Sequence, residues 1–428
     1  MKKWMKVVSL MLGIALLGTA AFAGSIDYLS NQSAQYLMTF NRNAATDAAD
    51  VANYNPAGTV FLPKNGFYVN FSTQYLLKPY EQEFMGETYK QDEPSMIPNL
   101  YTVYKKDDLA CFFSINGTAG GGKVKWNDGD ATTAGLIMQT GLAAAQVATP
   151  FSGTGATTVN DQFIEAYSKY IGFTPGIAYK VNDMFSFSVA LRYLLVERGA
   201  AAGANFTMDA VSDGLGVPFV GNETAMVIDS KFDYNARGYG GIIGFDVKPM
   251  SNLNIGVRYE SSTKLAFKYS MDVRSVTVTG PNAALNAGLQ SSLLNTLAAL
   301  DKDGQHIRYD LPAMLALGVS YTIMPGLEIM SSYDKYFIKA AEWDAAGNYR
   351  NGWEIGLGMT YKLNPDLKLG LGYLHAVSGE TDTTPHMVEN PALDSNTYSL
   401  GANYAVNGNL DVVLAGSTTR YIDDTNNT

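Results

Sequence analysis

From Gly66 onward the chain alternates apolar with small or polar residues at a period of two, in one segment after another. Ile171, Phe173, Pro175, Ile177, Tyr179 and Val181 interleave with Gly172, Thr174, Gly176, Ala178 and Lys180. Phe185, Phe187, Val189, Leu191, Tyr193 and Leu195 then interleave with Ser186, Ser188, Ala190, Arg192 and Leu194. Only residues 182–184, with Asn182-Asp183 as the turn, separate the two runs, which predicts a tight hairpin. The same alternation returns over residues 253–260, 311–321, 353–363 and 367–373.

The composition of the second face sets the class. In a soluble sandwich the row opposite the apolar one meets water and carries Lys, Glu, Thr and Arg. Here it is mostly Gly, Ser and Ala with scattered charges. That distribution suits an all-β, transmembrane antiparallel β-barrel, with apolar rows against acyl chains and small or polar rows lining a crowded interior. Tyr179, Tyr193, Tyr259, Tyr321, Trp353, Tyr361 and Tyr373 near strand ends suit interfacial girdles.

The connections alternate in length, as in outer-membrane barrels. Short ones lie near residues 106–108, 182–183, 248–252, 324–326, 364–366 and 407–409, and long ones over 78–98, 119–168, 199–226, 275–305, 339–349 and 378–396. Together they join thirteen strands. Single-chain bacterial barrels normally have an even number, so the expectation is fourteen strands with a closing strand absent from this sequence; the alternative is one strand too many counted within residues 227–247.

Composition narrows the picture further. With 46% hydrophobic and only 16% charged residues, the 428-residue chain is not a disordered acidic segment. One cysteine, Cys111, and three histidines rule out an intrachain disulfide framework and leave little for a zinc cluster, so no metal or cofactor is expected. The formal net charge of −10 argues against nucleic acid. Residues 1–23 resemble an export leader: Lys2, Lys3 and Lys6, an apolar stretch from Val7 to Leu17, and Ala21-Phe22-Ala23 before Gly24. Thereafter no run of about 18 residues is apolar enough for a spanning helix. Residues 66–428 are thus expected to form the barrel of an exported outer-membrane protein.

Residues 24–65 have no period of two and are rich in Ala, Asn, Asp and Ser. Residues 33–40 and 44–51 read as short helices, ended by Asn53-Tyr54-Asn55-Pro56-Ala57-Gly58, where Pro56 stops the helix and Gly58 permits a turn. A barrel of about fourteen strands is too wide for side chains to fill, so this segment is expected to be a helical plug.

At this point the chain resembles the outer-membrane long-chain fatty acid transporter family, the FadL-type hydrophobic compound transporters. The resemblance rests on Ala44-Ala45-Thr46-Asp47-Ala48-Ala49-Asp50, Tyr54-Asn55-Pro56-Ala57-Gly58, Gly120-Gly121-Gly122 after the third strand and Leu311-Pro312 opening the eighth. It departs from the family in the absent closing strand and in residues 199–226, which show no clear helix. The resemblance implies a passive, monomeric porin-like barrel in the outer membrane of a diderm bacterium, with lipid and hydrophobic small molecules as partners. It implies capture of long-chain fatty acids at an external groove, a plug shift and sideways release through the wall.

Each candidate residue has two readings. Asn55, Pro56 and Ala57 are either the hinge and gate of the plug or a structural turn. Gly117, Gly120 and Gly121 (with Gly122) either kink the third strand, where the family has its lateral gap, or begin a flexible loop. Leu285, Leu289, Leu293 and Leu297 recur every four residues and form either a capture groove or a stripe packed on the rim, with Leu136, Ile137 and Leu142 a weaker case. Arg192 and Arg258 face inward and either bind a substrate carboxylate or balance Glu260, Glu328, Glu354 and Asp411. No Gly-x-Ser-x-Gly, His-Glu-x-x-His or phosphate loop occurs, and His375 sits on the lipid face, so no enzyme is expected. The competing functions are a surface adhesin or antigen that uses the long loops, and a general porin.

Overall fold

The structure, a computed structural model, describes residues 33–423 except 136, 139–156, 209–223, 281–282, 284–285, 289, 292–293, 296–303, 305, 343–348 and 382–392. The leader and residues 24–32 of the expected plug lie outside this range, as do Leu285, Leu289, Leu293, Leu297, Leu136 and Leu142.

Seventeen strands are defined among the described residues: β1 (Gly66–Leu76), β2 (Tyr80–Phe84), β3 (Glu87–Gln91), β4 (Ser95–Lys106), β5 (Leu109–Trp126), β6 (Thr157–Lys180), β7 (Phe185–Met208), β8 (Thr224–Met250), β9 (Leu253–Glu260), β10 (Ala266–Thr279), β11 (His306–Arg308), β12 (Met314–Met324), β13 (Leu327–Tyr336), β14 (Trp353–Lys362), β15 (Leu367–Val377), β16 (Ser395–Asn407) and β17 (Leu410–Tyr421). The hairpin β2–β3 stands apart. The others form one antiparallel sheet in the order β1-β4-β5-β6-β7-β8-β9-β12-β13-β14-β15-β16-β17, with β10 against β8 and β11 against β10.

The thirteen strands of this path are the thirteen counted in the sequence. The long β8 carries β9 on its Ile242–Met250 half and β10 on its Ala225–Asn235 half. β9 with β10 is therefore one rising strand broken at residues 261–265, and β11 with β12 one falling strand broken around Pro312. The isolated bridge Thr263 to Leu311 spans the break, with the Tyr309 N–H donating to the Leu265 carbonyl at 3.0 Å beside it. Proline has no N–H for a ladder, and here it falls in the gap.

Burial is inverted relative to a soluble protein. On β1 the outward Phe67 and Phe71 are 67% and 72% exposed, while the inward Asn70 and Ser72 are buried. Leu317, Val319 and Tyr321 on β12 are exposed while Ala316 and Ser320 are buried, and Ile355, Leu357 and Met359 on β14 are exposed while Glu354 and Thr360 are buried. Apolar surface is stable in that position only against hydrocarbon, as in an outer-membrane barrel. Exposed and half-buried tyrosines mark both margins. Tyr104, Tyr179, Tyr321, Tyr361 and Tyr404 lie beside the short turns, and the close pairs Tyr193–Tyr239 and Tyr373–Tyr398 lie toward the other end.

The strands reach further than the alternation predicts. β6, β7 and β8 run into stretches read as loops, from Thr157, to Met208 and from Thr224, and β5 continues through its glycines to Trp126. Beyond the lipid the outer faces of β6, β7 and β8 no longer need to be apolar, so the period of two fades while the ladder continues.

The plug holds α1 (Ala34–Thr39), α2 (Val51–Tyr54) and a 3₁₀ turn over Pro56–Phe61. Ser33 caps α1, its Oγ accepting the Tyr36 N–H at 3.0 Å. The helix expected over residues 44–51 does not form. The backbone there is held from outside, the Ala44 and Ala45 carbonyls accepting Asn254 Nδ2 at 2.7 Å and Asn55 Nδ2 at 3.1 Å. Pro56 opens the 3₁₀ turn instead of only ending a helix. α1 touches β14, β15, β16 and β17 and also β1, so the sheet wraps around the plug and brings both ends of its path to the same helix.

If the exposed rows face acyl chains, Leu357→Lys at the middle of β14 should destabilise the barrel by about 2–4 kcal/mol in chemical unfolding from phospholipid vesicles. At a water-facing position the same change would cost about 0.5 kcal/mol or less.

Candidate functional site

The plug is stabilised by an internal ion cluster. The Arg42 guanidinium forks onto Asp50, with Nε–Oδ2 at 3.0 Å and Nη2–Oδ1 at 2.6 Å, and Ser33 Oγ donates to the same carboxylate at 2.8 Å. Asp47 bridges outward, 2.7 Å from Arg42 and 3.3 Å from Lys368 on β15. Desolvation raises the Asp47 pKa, but the charges of Arg42 and Lys368 outweigh it and hold the carboxyl well below the usual carboxylate range. Above this cluster Tyr36 stacks on Tyr54, ring centroids 5.0 Å apart, and meets Phe40 edge-on.

Polar groups from the wall then grip the plug. Asn55 Nδ2 donates to Asp246 of β8, which also accepts Asn254 Nδ2 at 2.8 Å. Ser186 Oγ of β7 donates to the Ala57 carbonyl at 2.7 Å, and Pro56 lies against β8 at Gly244. Asn43 Nδ2 donates to Asp334 of β13 at 2.8 Å, and Ser332 Oγ donates to the Phe40 carbonyl at 3.2 Å. The inward glycines make room for the plug backbone: a Cβ on Gly318 would come within 2.6 Å of Asn43, and one on Gly358 within 2.7 Å of the Thr39 carbonyl. Asn55, Pro56 and Ala57 therefore lie together against β7 and β8. A polar cavity of about 330 Å³ separates residues 41–47 from the turns at 248–254 and from β12 and β13.

Arg192 and Arg258 both point inward and are buried. Arg192 pairs with Glu260, Arg258 Nε lies 3.2 Å from the same carboxylate, and Arg258 Nη1 donates to the Asn53 carbonyl of the plug. Of their two readings, this arrangement matches charge balance and adds a tether. Glu354 accepts the Tyr336 hydroxyl at 2.8 Å, Glu328 accepts Ser320 Oγ, and Asp411 is exposed on β17.

Gly117, Gly120 and Gly121 lie within β5, not in a loop. The register between β5 and β6 slips between Gly117 and Ala119 and again between Ala119 and Gly122. Gly120 and Gly122 adopt φ of +92° and +78°, which a side chain would strain. The third strand is thus distorted where the glycines suggested.

Sequence reasoning missed the densest apolar region. In the half of the barrel away from the short turns, Leu194, Val196, Phe206, Ile228, Phe232, Tyr234, Leu265, Phe267, Tyr269 and Val276 pack into one inward cluster, joined by Ile137 of the weaker loop motif. Within it lies Arg198, only 3% exposed, its guanidinium 5.0 Å from the Tyr309 ring and 5.8 Å from the Phe267 ring, with Nη1 donating to the Tyr170 hydroxyl at 3.2 Å. Arg198 is in phase with Arg192 on β7, so the alternation could have found it. The apolar Leu194 and Val196 on the same inward row hid the contrast.

Removing one partner of a buried pair leaves an under-compensated charge, so Asp50→Ala should weaken plug docking by about 3 kcal/mol, read as faster amide exchange over residues 34–62 with the barrel amides unchanged. Because the folded pKa of Asp47 is depressed, its contribution is complete above about pH 4 and lost as the pH falls below that. As the pH falls from about 4, the protection of the same segment, taken as the exchange rate relative to that of an unstructured peptide at the same pH, should drop, and Asp47→Asn should remove that part of the pH dependence.

A profile of the outer membrane protein transport protein family (OMPP1/FadL/TodX) matches residues 14–423. Among solved structures, the fold is similar to that of a Pseudomonas aeruginosa FadL homologue at a TM-score of 0.61 and 15% identity, covering 93% of this chain and 91% of that one. It is also similar to the Pseudomonas putida toluene transporter TodX (TM-score 0.57, 15% identity, 89% and 92%) and to the Ralstonia pickettii toluene transporter TbuX (TM-score 0.52, 16% identity, 89% and 93%). No curated protein sequence matches the chain. With its exposed apolar belt, plugged lumen and profile match over nearly its whole length, the chain belongs to the OMPP1/FadL/TodX family of outer-membrane transporters of hydrophobic compounds and is not an enzyme.

Proposed function

We propose that this transporter carries amphiphiles with a long apolar body and an anionic head, of which long-chain fatty acids are the simplest, by external capture, a plug shift and sideways release into the membrane. The observation that carries this reading is Arg198. It places a permanently charged guanidinium among Tyr170, Phe267 and Tyr309, at the apolar cluster. A hydrocarbon cargo gains no hydrogen bond from it, and an aromatic one only the weaker cation–π contact, whereas a carboxylate seated there gains a charge-assisted hydrogen bond while its chain lies among the apolar side chains.

The gate of this route is the contact of Asn55, Pro56 and Ala57 with β7 and β8. It rests on hydrogen bonds to Asp246 and Ser186, which exchange more readily than packed apolar contacts. The distorted stretch at Gly117, Gly120 and Gly121 is the lateral opening, since bulges weaken pairing in the wall where an acyl chain could pass.

Arg198→Met keeps the volume and removes the charge. Oleate affinity of the detergent-solubilised variant, measured by fluorescence competition, should fall about tenfold, the value of one charge-assisted bond, while toluene affinity stays within about twofold. Equal loss for both ligands would refute an anionic head as the selected feature.

A further inference from the structure

The wall between β4 and β5 is joined by two different means. From Lys106 to Leu100, β4 shares an ordinary backbone ladder with β5, ending at Leu100 opposite Ile115. Past that point β4 stays paired with β1 as far as Ser95 opposite Leu76, and β5 stays paired with β6 as far as Trp126 opposite Ile164. Each strand keeps its outer neighbour, yet among the described residues no backbone ladder joins β4 to β5 here.

Side chains cross the interval instead. Asn99 Oδ1 accepts the Gly117 N–H at 3.2 Å. Ser95 Oγ accepts the Lys123 N–H at 3.1 Å and donates to the Lys123 carbonyl at 3.4 Å. From the start of the β2–β3 excursion, Lys78 Nζ donates to the Gly121 carbonyl. The distorted residues of β5 lie between these anchor points. A backbone ladder opens only by moving a whole strand, whereas a serine or asparagine side chain releases its bond by rotating about one or two single bonds.

The plug is bonded one residue away. Asn116 Nδ2 donates to Asn53 Oδ1 of α2 at 3.3 Å, and the next residue, Gly117, is the one Asn99 holds. Asn53 is itself held through its carbonyl by Arg258 of β9. Asn116 Oδ1 and Thr118 Oγ1, both buried on this stretch, have no hydrogen-bond partner in this arrangement, so they can accept donors freed by a shift of β5.

We propose that Ser95 and Asn99 are the latch of a slot in the barrel wall between β4 and β5, and that Asn116 links this latch to the plug. Displacing the plug breaks the Asn53–Asn116 bond, loosens Gly117 from Asn99, and lets β5 swing from β4 wide enough for an apolar chain to slide into the bilayer. Neither residue contacts cargo for recognition; both are positioning residues. The proposal rests on the reading that the cargo leaves sideways, and it adds which side chains keep the slot shut.

Full-length protein in lipid nanodiscs, wild type and Ser95→Ala/Asn99→Ala, tests it by two independent readouts. Amide exchange at residues 117–123 should rise about tenfold in the double variant, the loss expected for one to two hydrogen bonds, with the β1 amides unchanged. Release of preloaded oleate into the surrounding lipid should quicken several-fold, with equilibrium oleate affinity unchanged. Ser95→Thr, which keeps the hydroxyl, should behave as wild type, and Asn116→Ala should speed release without affecting affinity. Should the double variant not assemble, Ser95→Ala alone should give the same two changes at smaller size. Unchanged exchange at 117–123 overturns the latch. Faster exchange without faster release overturns its role as a gate. If the wild type releases no oleate at all, the sideways-transport reading fails, and the exchange data still report on whether the latch exists.

Discussion

A lipid bilayer offers no partner to a backbone N–H or carbonyl, so every such group that crosses it must be paired within the protein. This chain meets that requirement with antiparallel ladders, and the rest of its architecture follows. Once the strands curl into a wall, their alternate side chains are divided between hydrocarbon and lumen. The greasy row must then be the exposed one, as Phe67, Phe71 and Leu357 are. The inner row is left to face a space too wide for side chains alone to fill.

The plug resolves that second problem with polar chemistry. Its Asp47 and Asp50 share Arg42, and the carboxylate charge left over is met by Lys368 of the wall. On the side of Asn43 and Asn55 its contact with the wall is made of amides, hydroxyls and backbone carbonyls set against glycines, as at Asn43 against Gly318, while Ala49, Ala52, Val60 and Leu62 pack in an apolar cluster with Tyr101, Val103, Ala110 and Phe112. The polar part is specific in geometry yet weakly held per contact, because each hydrogen bond can be exchanged for another. A packed apolar interface of the same area would be harder to separate. For the proposed plug shift, a body that both blocks a lumen and yields is better served by the first kind of contact.

The strands were legible because one physical contrast, lipid against lumen, repeats along each of them: Ile171 against Gly172, Leu357 against Gly356. Where the contrast ends, legibility ends. The outer reaches of β6, β7 and β8 have no lipid on their outer face and looked like loops, although their ladders continue to Thr157, Met208 and Thr224. Residues 44–51 have helical propensity, yet Asn254 and Asn55 claim their carbonyls, a tertiary override that no local pattern reveals. Arg192 and Arg258 were legible as inward cations but not by role, since Glu260 arrives opposite them only through strand pairing. Arg198 was in phase and still missed, because its inward neighbours Leu194 and Val196 are apolar and erased the alternation that would have marked it.

A plug contact and the interrupted stretch of the β4–β5 ladder adjoin. The plug meets β5 through Asn53 and Asn116, and immediately beyond that contact the β4–β5 ladder gives way to side-chain bonds while β5 slips its register against β6. A slip on its own would weaken the wall at all times, at a cost in barrel stability and with a risk of leakage. A plug on its own would block the lumen but leave an apolar cargo only a watery exit below, past the polar cavity beneath residues 41–47. On the proposed route, placing the weak seam beside a plug contact makes the two mutually dependent: the plug steadies the seam while it is seated, and the seam offers a dry way out once it is not.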